Sequence, residues 1–192
     1  LRQKRAKNAD ANSLHHENET IFSSIGAIDK IKGVDFIIKA FLKAKAIRSK
    51  LNIVGSGNIH FLNYCKSLAA NTESIVFLGK LQPNAMTEIY ATSDFIIRGD
   101  PDFRIGRTIF EALYSGCRVI LPKDCSNNMI DPELSKFSNR VLFYKPRDVD
   151  SLEDALKEAT KKNKTKNCNG PTGNISEHCQ NIKDFIMKLI ID

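Results

Sequence analysis

Gly106-Arg-Thr-Ile-Phe-Glu-Ala-Leu-Tyr-Ser-Gly-Cys-Arg-Val-Ile120 joins a glycine-led helix start, a carboxylate one turn in, a glycine stop and an apolar strand. A helix that opens near Thr108 leaves its first-turn N–H groups without intrahelical partners, so its start attracts anions. Gly106 lets a ligand approach the backbone, and Arg107 adds a fixed charge beside it. Glu111 projects beside such an anion rather than toward it, which makes the hydroxyls of a ribose or hexose its natural partners. Gly116 ends the helix, and Arg118 to Leu121 reads as the next strand. The stretch outlines a phosphate-and-sugar site at a helix start.

On both sides of this stretch, short apolar runs alternate with amphipathic stretches. Strands are predicted at Ile21 to Ile25, Leu51 to Val54, Ile75 to Leu78, Phe95 to Arg98, Arg118 to Leu121 and Val141 to Tyr144. Helices are predicted at Val34 to Ala46, His60 to Ala70, Asn84 to Thr92, from Thr108, and at Asp148 to Lys162. In the first of these, Phe36, Ile37, Ala40, Phe41 and Ala44 form one apolar stripe, while Asp35, Lys39 and Lys43 face away, as a core-packed helix requires. Alternation of this length predicts an α/β fold: a doubly wound, Rossmann-like parallel sheet with helices on both faces.

The ends read differently. Leu1 to Thr20 is polar and aperiodic, so residues 1–20 are expected to be a linker or leader ahead of one domain over 21–192. Thr165 to Asn174 carries Gly170, Pro171 and Gly173 and is expected to be an irregular connection. Ile175 to Ile191 reads as a terminal helix, with Ile182, Phe185, Ile186, Leu189 and Ile190 on one side in need of a partner.

Composition narrows the classes. A chain of 192 residues can build one full core, and its longest apolar runs are strand-sized, far short of a membrane span. Leu1 to Lys7 is too basic and too poor in apolar residues for a signal peptide, so a cytoplasmic protein is expected. Five cysteines (Cys65, Cys117, Cys125, Cys168, Cys179) without a CxxC pair argue for reduced thiols. Four histidines, with only His15 and His16 adjacent, give no metal-ligand spacing, and no structural metal is expected. The net charge of +7 suits nucleic acid, an anionic membrane or a phosphorylated small molecule. Its excess lies partly in Arg2, Lys4, Arg5 and Lys7 and in Lys161, Lys162, Lys164 and Lys166, without interleaved aromatics. Solvated linkers explain those runs, and no nucleic-acid partner is expected.

In a doubly wound sheet, ligands bind outside the carboxyl ends of the strands. Three glycine-bearing loops fall there: Gly26 to Gly33, Gly55-Ser-Gly57, and Asp100 to Gly106. Lys32, next to Gly33, sets a cation where backbone can come close to a phosphate, although a lysine beside a glycine is often only a solvated turn. Gly55-Ser-Gly57 lacks the third glycine and the following acidic residue of a dinucleotide fingerprint, which excludes a nicotinamide reading.

Six segments in order carry a family resemblance: Ser24-Ile-Gly26, Lys32-Gly-Val-Asp-Phe-Ile-Ile-Lys-Ala-Phe41, Leu51-Asn-Ile-Val-Gly-Ser-Gly57, Val76-Phe-Leu-Gly79, Ser93-Asp-Phe95 and Glu111-Ala-Leu-Tyr-Ser-Gly-Cys-Arg-Val-Ile120. Over Ile21 to Lys162 the chain resembles the C-terminal, donor-binding domain of retaining GT-B glycosyltransferases of the family 4 type. The resemblance implies a nucleotide-sugar site facing a second Rossmann-like domain that holds the acceptor. Only one such domain is present and Leu1 is not an initiator methionine, so the chain is expected to be the C-terminal half, without its acceptor-binding domain. The terminal helix resembles the one that crosses back to the other domain in that family.

Carried over by position, Glu111 matches the second glutamate of the family's Glu-x7-Glu motif, which holds the nucleotide ribose. Gly106, Arg107 and Thr108 match the turn and helix start that receive the diphosphate, and Lys32 the lysine that neutralises it. The base is expected near Gly55, Gly57, Gly79 and Lys80, and the sugar near Phe103 and Arg104. Two positions depart from the pattern. Ala27 stands where the family has an arginine, and Phe103 where it has the first glutamate; Asp102 could reach the sugar, and Arg98, Arg104 or Arg107 could replace the cation.

By resemblance, then, a UDP-linked sugar is the expected donor, bound without a metal or other cofactor. The expected setting is bacterial O-antigen or capsule assembly, with a lipid-linked saccharide acceptor and a peripheral place at the inner face of the membrane, where basic residues favour anionic lipid. Two alternatives stand beside it. One is a catalytically silent nucleotide-binding or partner module of the same fold, suggested by Ala27 and Phe103. The other is an unrelated flavodoxin-like or epimerase-like α/β enzyme, since fold alone does not give function.

Overall fold

Phe95-Ile-Ile97 is the shortest strand and the most informative, because all three residues are buried. Phe95 and Ile97 join one apolar cluster and Ile96 the other, so this strand sends side chains alternately into a core on each face. The computed structural model describes residues 19–45, 48–99, 105–123 and 132–162. The linker expected over residues 1–20 falls outside these but for its last two positions, and the connection and terminal helix expected beyond 164 lie wholly outside.

Among the described residues six strands form one parallel sheet: β1 (Thr20–Ile25), β2 (Ser49–Val54), β3 (Ile75–Gly79), β4 (Phe95–Ile97), β5 (Arg118–Pro122) and β6 (Val141–Tyr144). Their order is β3-β2-β1-β4-β5-β6, as expected of a doubly wound sheet, and the switch point lies between β1 and β4. Helices α1 (Val34–Ala44), α2 (Ile59–Leu68) and α6 (Val149–Lys162) feed one cluster. Helices α3 (Pro83–Thr92), α4 (Arg107–Tyr114) and the single turn α5 (Pro132–Ser135) feed the other. The elements predicted up to Lys162 occur, with ends shifted by at most two residues. Within α1, Val34, Ile37, Ile38, Ala40, Phe41 and Ala44 are buried, and Phe36 packs at the edge of the cluster and stacks on Tyr144. Helix α5 and the 3-10 turn Ser138–Arg140 had no forecast: three or four residues are too few for a period to register.

Several buried polar groups are matched. Ser23 and Ser93 share a hydrogen bond of 2.7 Å, and Ser93 also donates to the Ile89 carbonyl. Helix α4 ends with the Cys117 N–H on the Ala112 carbonyl and the Gly116 N–H on that of Leu113. The buried Arg140 donates to the Leu113 carbonyl as well, at 3.0 Å.

Helices α1 and α6 are also clasped by charge. Glu153 pairs with Lys157 at 2.6 Å and with Lys43 at 3.0 Å, and Lys43 pairs with Asp150 too. The hydrogen bonds from Lys157 and Lys43 hold the Glu153 carboxyl below its ordinary range. A carboxyl depressed on folding contributes stability above its unfolded pKa, and that contribution is lost as pH falls through the folded value. Urea midpoints are therefore expected to fall between roughly pH 5 and pH 3, and to fall less in Glu153→Gln. Parallel falls in the two proteins would rule this clasp out as a source of acid sensitivity.

Candidate functional site

The loops at the carboxyl ends of β1, β2 and β3 are stitched together by backbone. The Gly26 N–H donates to the Val54 carbonyl at 3.0 Å, Ile28 N–H to Ser56 at 2.9 Å, and Gly55 N–H to Gly79 at 2.8 Å. Ile28 is buried and bridges to Gly57 in parallel fashion, extending the sheet into the loops. This close approach explains the glycines of Gly55-Ser-Gly57. A Cβ at Gly55 would lie 1.7 Å from the Gly26 carbonyl oxygen, and one at Gly57 1.8 Å from that of Ile28. Gly79 and Lys80 lie exposed at the end of the edge strand β3, two strands from β1.

At the switch point the loops after β1 and β4 touch through Gly33 and Gly99. A Cβ on Gly33 would meet the Gly99 carbonyl oxygen at 2.4 Å, and one on Gly99 would meet the oxygens of Gly33 at 2.6 Å and Lys32 at 2.9 Å. Only glycine at both positions permits the contact, and Gly33, with φ of 64°, also starts α1. Lys32 and Arg98, the residues preceding these two glycines, are thereby carried to one place. An Asp29 carboxylate oxygen accepts the Lys32 N–H at 2.6 Å and fixes the turn. Arg98 is held through its backbone: its N–H donates to the Ile120 carbonyl at 3.0 Å, and its carbonyl accepts the Tyr144 hydroxyl at 2.6 Å.

The Arg98 guanidinium reaches the start of α4, where a Cβ on Gly106 would lie 3.2 Å from Nη1. Gly106 is the N-cap of that helix and, as a glycine, has no side chain of its own to cap it. The helix begins at Arg107, one residue before the expected start, and Thr108 is half-buried in its first turn. Ala27 lies in the loop after β1, and Arg98, one of the three arginines expected as a replacement for the cation missing there, lies at the end of the neighbouring strand β4.

Glu111 is already engaged on both oxygens. Tyr90 of α3 donates its hydroxyl to Oε2 at 2.7 Å, and Arg107 Nε lies 2.8 Å from Oε1. The side chain of Arg107 is 83% exposed and that of Glu111 20%. Burial, and then the bond to Glu111, push the Tyr90 phenol far above its ordinary pKa, so it stays a protonated donor. Nothing in the linear pattern singles out Tyr90, which occupies an ordinary apolar position on α3.

Lys32, Gly106, Arg107, Thr108 and Glu111 thus lie around the ends of β1 and β4, joined by Arg98, whereas Gly55, Gly57, Gly79 and Lys80 line the β2 and β3 side. Asp102, Phe103 and Arg104 lie outside the described residues. Among the described residues no cluster of three or more His, Cys, Asp or Glu could hold a metal ion, and no helix is long and apolar enough to cross a membrane. Cys65 and Cys117 are buried free thiols; Cys125, Cys168 and Cys179 lie outside the described residues.

Comparison with known proteins agrees with the fold. The sequence profile of glycosyl transferases group 1 matches residues 6–173. Alpha-monoglucosyldiacylglycerol synthase of Streptococcus pneumoniae is 27% identical over 137 residues, which are 69% of this chain and 30% of that protein. The chain therefore spans under a third of the length of this curated relative. Among solved structures, the C-terminal domain of the group 1 glycosyl transferase LpcC of Francisella tularensis superposes with a TM-score of 0.61 at 21% identity, covering 77% of this chain and 78% of that one. The Anabaena protein HepE, solved in complex with UDP and glucose, gives 0.66 at 15% identity over 88% of this chain and 48% of its own. At these identities the likeness is one of fold.

Proposed function

This chain belongs to the group 1 glycosyl transferases, and on that premise we propose that it is the donor-binding half of a retaining enzyme that takes its sugar from a UDP-linked donor. The observation that carries the reading is the approach of the Arg98 guanidinium to the glycine-led start of α4 at the switch point of the sheet, with the backbone of Lys32 against the neighbouring Gly99. When the glycosidic bond to the nucleotide breaks, negative charge grows on the departing diphosphate. Fixed cations and helix N–H groups there stabilise the transition state more than the ground state, which raises rate rather than mere affinity. Those groups take the place a divalent metal would fill, so donor binding needs none. Arg107 and Thr108 complete the diphosphate end, and Glu111 takes the ribose hydroxyls.

Asp102, Phe103 and Arg104 belong by resemblance to the sugar end, and the loops bearing Gly55, Gly57, Gly79 and Lys80 to the base. The acceptor is a lipid-linked saccharide held by a second domain, and the product feeds bacterial surface polysaccharide such as O-antigen or capsule. The relative named as an alpha-monoglucosyldiacylglycerol synthase supports a lipid acceptor. Solved complexes of the Anabaena protein with UDP support the choice of nucleotide.

Lys32→Ala and Arg98→Ala are each expected to weaken UDP binding by about 1 to 3 kcal/mol, the scale of a lost charge-assisted hydrogen bond. A chelator should leave the wild-type Kd unchanged. Unaltered affinity in both variants, or binding abolished by the chelator, would overturn the diphosphate assignment. One observation favours the second reading, a catalytically silent module: both Glu111 oxygens already have protein partners. In that case no nucleotide binds, or Glu111→Ala changes nothing.

A further inference from the structure

Glu111 has two unequal partners. Arg107 lies on the surface at the first position of α4, and an exposed pair of this kind is a weak, exchangeable tie. Tyr90 is 5% exposed, packs in the same apolar cluster as Ile109 and Phe110, and its carbonyl accepts the Cys117 thiol at 3.1 Å. Its hydroxyl therefore approaches Glu111 from a fixed wall between α3 and α4. A carboxylate tied at Oε2 cannot sweep its rotamers, so Oε1 stays aimed toward the helix start, where Arg107 now holds it.

We propose that Tyr90 is a positioning residue that fixes the Glu111 carboxylate for recognition of a nucleotide's ribose hydroxyls, with Arg107 as the partner that the ribose displaces from Oε1. The proposal rests on the reading of Glu111 as the ribose-binding residue. Tyr90 touches no ligand; it acts by removing the freedom that Glu111 would otherwise lose on binding. The arrangement also links the two ends of the donor, because the arginine released from Glu111 stands in the first turn that receives the diphosphate.

The test compares UDP with 2′,3′-dideoxy-UDP, as a ratio of dissociation constants, in the wild type, Tyr90→Phe and Glu111→Ala. A ratio is unaffected by a smaller folded fraction, which lowers both apparent affinities alike. The wild type should prefer UDP, and both variants should lose about tenfold of that preference, the scale of one hydrogen bond to a charged group. If Glu111→Ala loses it and Tyr90→Phe keeps it, Tyr90 is only a packing residue and the proposal fails. If Glu111→Ala keeps it, the ribose reading itself fails. Should Tyr90→Phe not fold, Tyr90→Met removes the same hydroxyl and is read against the same two outcomes.

Discussion

Gly55→Ala is expected to destabilise the chain by about 3 kcal/mol or more, the scale of a strained backbone position compounded by a clash. The residue has φ of 143°, where side-chain-bearing residues are strained, and its Cβ would sit 1.7 Å from the Gly26 carbonyl oxygen. That obstacle is backbone, so no rotamer change relieves it. The β1 and β2 loops would have to part, loosening the bonds from Gly26 to Val54 and from Gly55 to Gly79. Gly79→Ala is the control: φ is 70°, but nothing lies within 4 Å of the added carbon. That change should cost only about 1 to 2 kcal/mol, the left-handed penalty alone. Urea unfolding of both variants measures the difference, and equal losses would show that the loop contact adds nothing to the fold.

Glu111→Ala is expected to weaken UDP binding by about 1 to 3 kcal/mol, five- to over a hundredfold, as a charge-assisted hydrogen bond to the ribose is lost. The loss has a second source. Without the carboxylate, the Tyr90 hydroxyl keeps its buried surroundings but no longer has that acceptor, and the pocket wall loses its fixed point. Removing the carboxylate also spares the cost of parting Arg107 from Glu111, which binding of a ribose otherwise requires. That saving is the same for uridine and for UDP, because the ribose of either displaces Arg107, so the fold-loss is expected to be equal for the two. Calorimetric titration of both ligands measures it, and a smaller loss for UDP would show that Arg107 stays on Glu111 in the wild-type complex and reaches the diphosphate only once the carboxylate is gone.

The fold was legible because the inner strands β4 and β5 are short apolar runs buried almost throughout, and each of α1, α4 and α6 shows a stripe at helical spacing. Element ends were less so, since capping residues rather than periodicity decide them: α4 starts at Arg107 because Gly106 is its N-cap. The glycine, lysine and glutamate of the candidate site could be picked out by local chemistry and by resemblance. Their relations could not. Gly33 and Gly99 are 66 positions apart and meet only because β1 pairs with β4, which is also what carries Arg98 beside the helix start. Tyr90 lies 21 residues from Glu111 and gives no sign of its role until α3 and α4 pack together. Gly55 and Gly57 show the same limit, because a contact with the Gly26 and Ile28 carbonyls leaves no local trace.

A metal-independent donor site for a uridine nucleotide should show itself in calorimetric titration of the wild-type chain with UDP, GDP and ADP in the presence of a chelator. UDP is expected to bind in preference to the other two, and more weakly to Glu111→Ala; absence of binding by any of the three would rule the donor site out and leave the fold serving as a partner module.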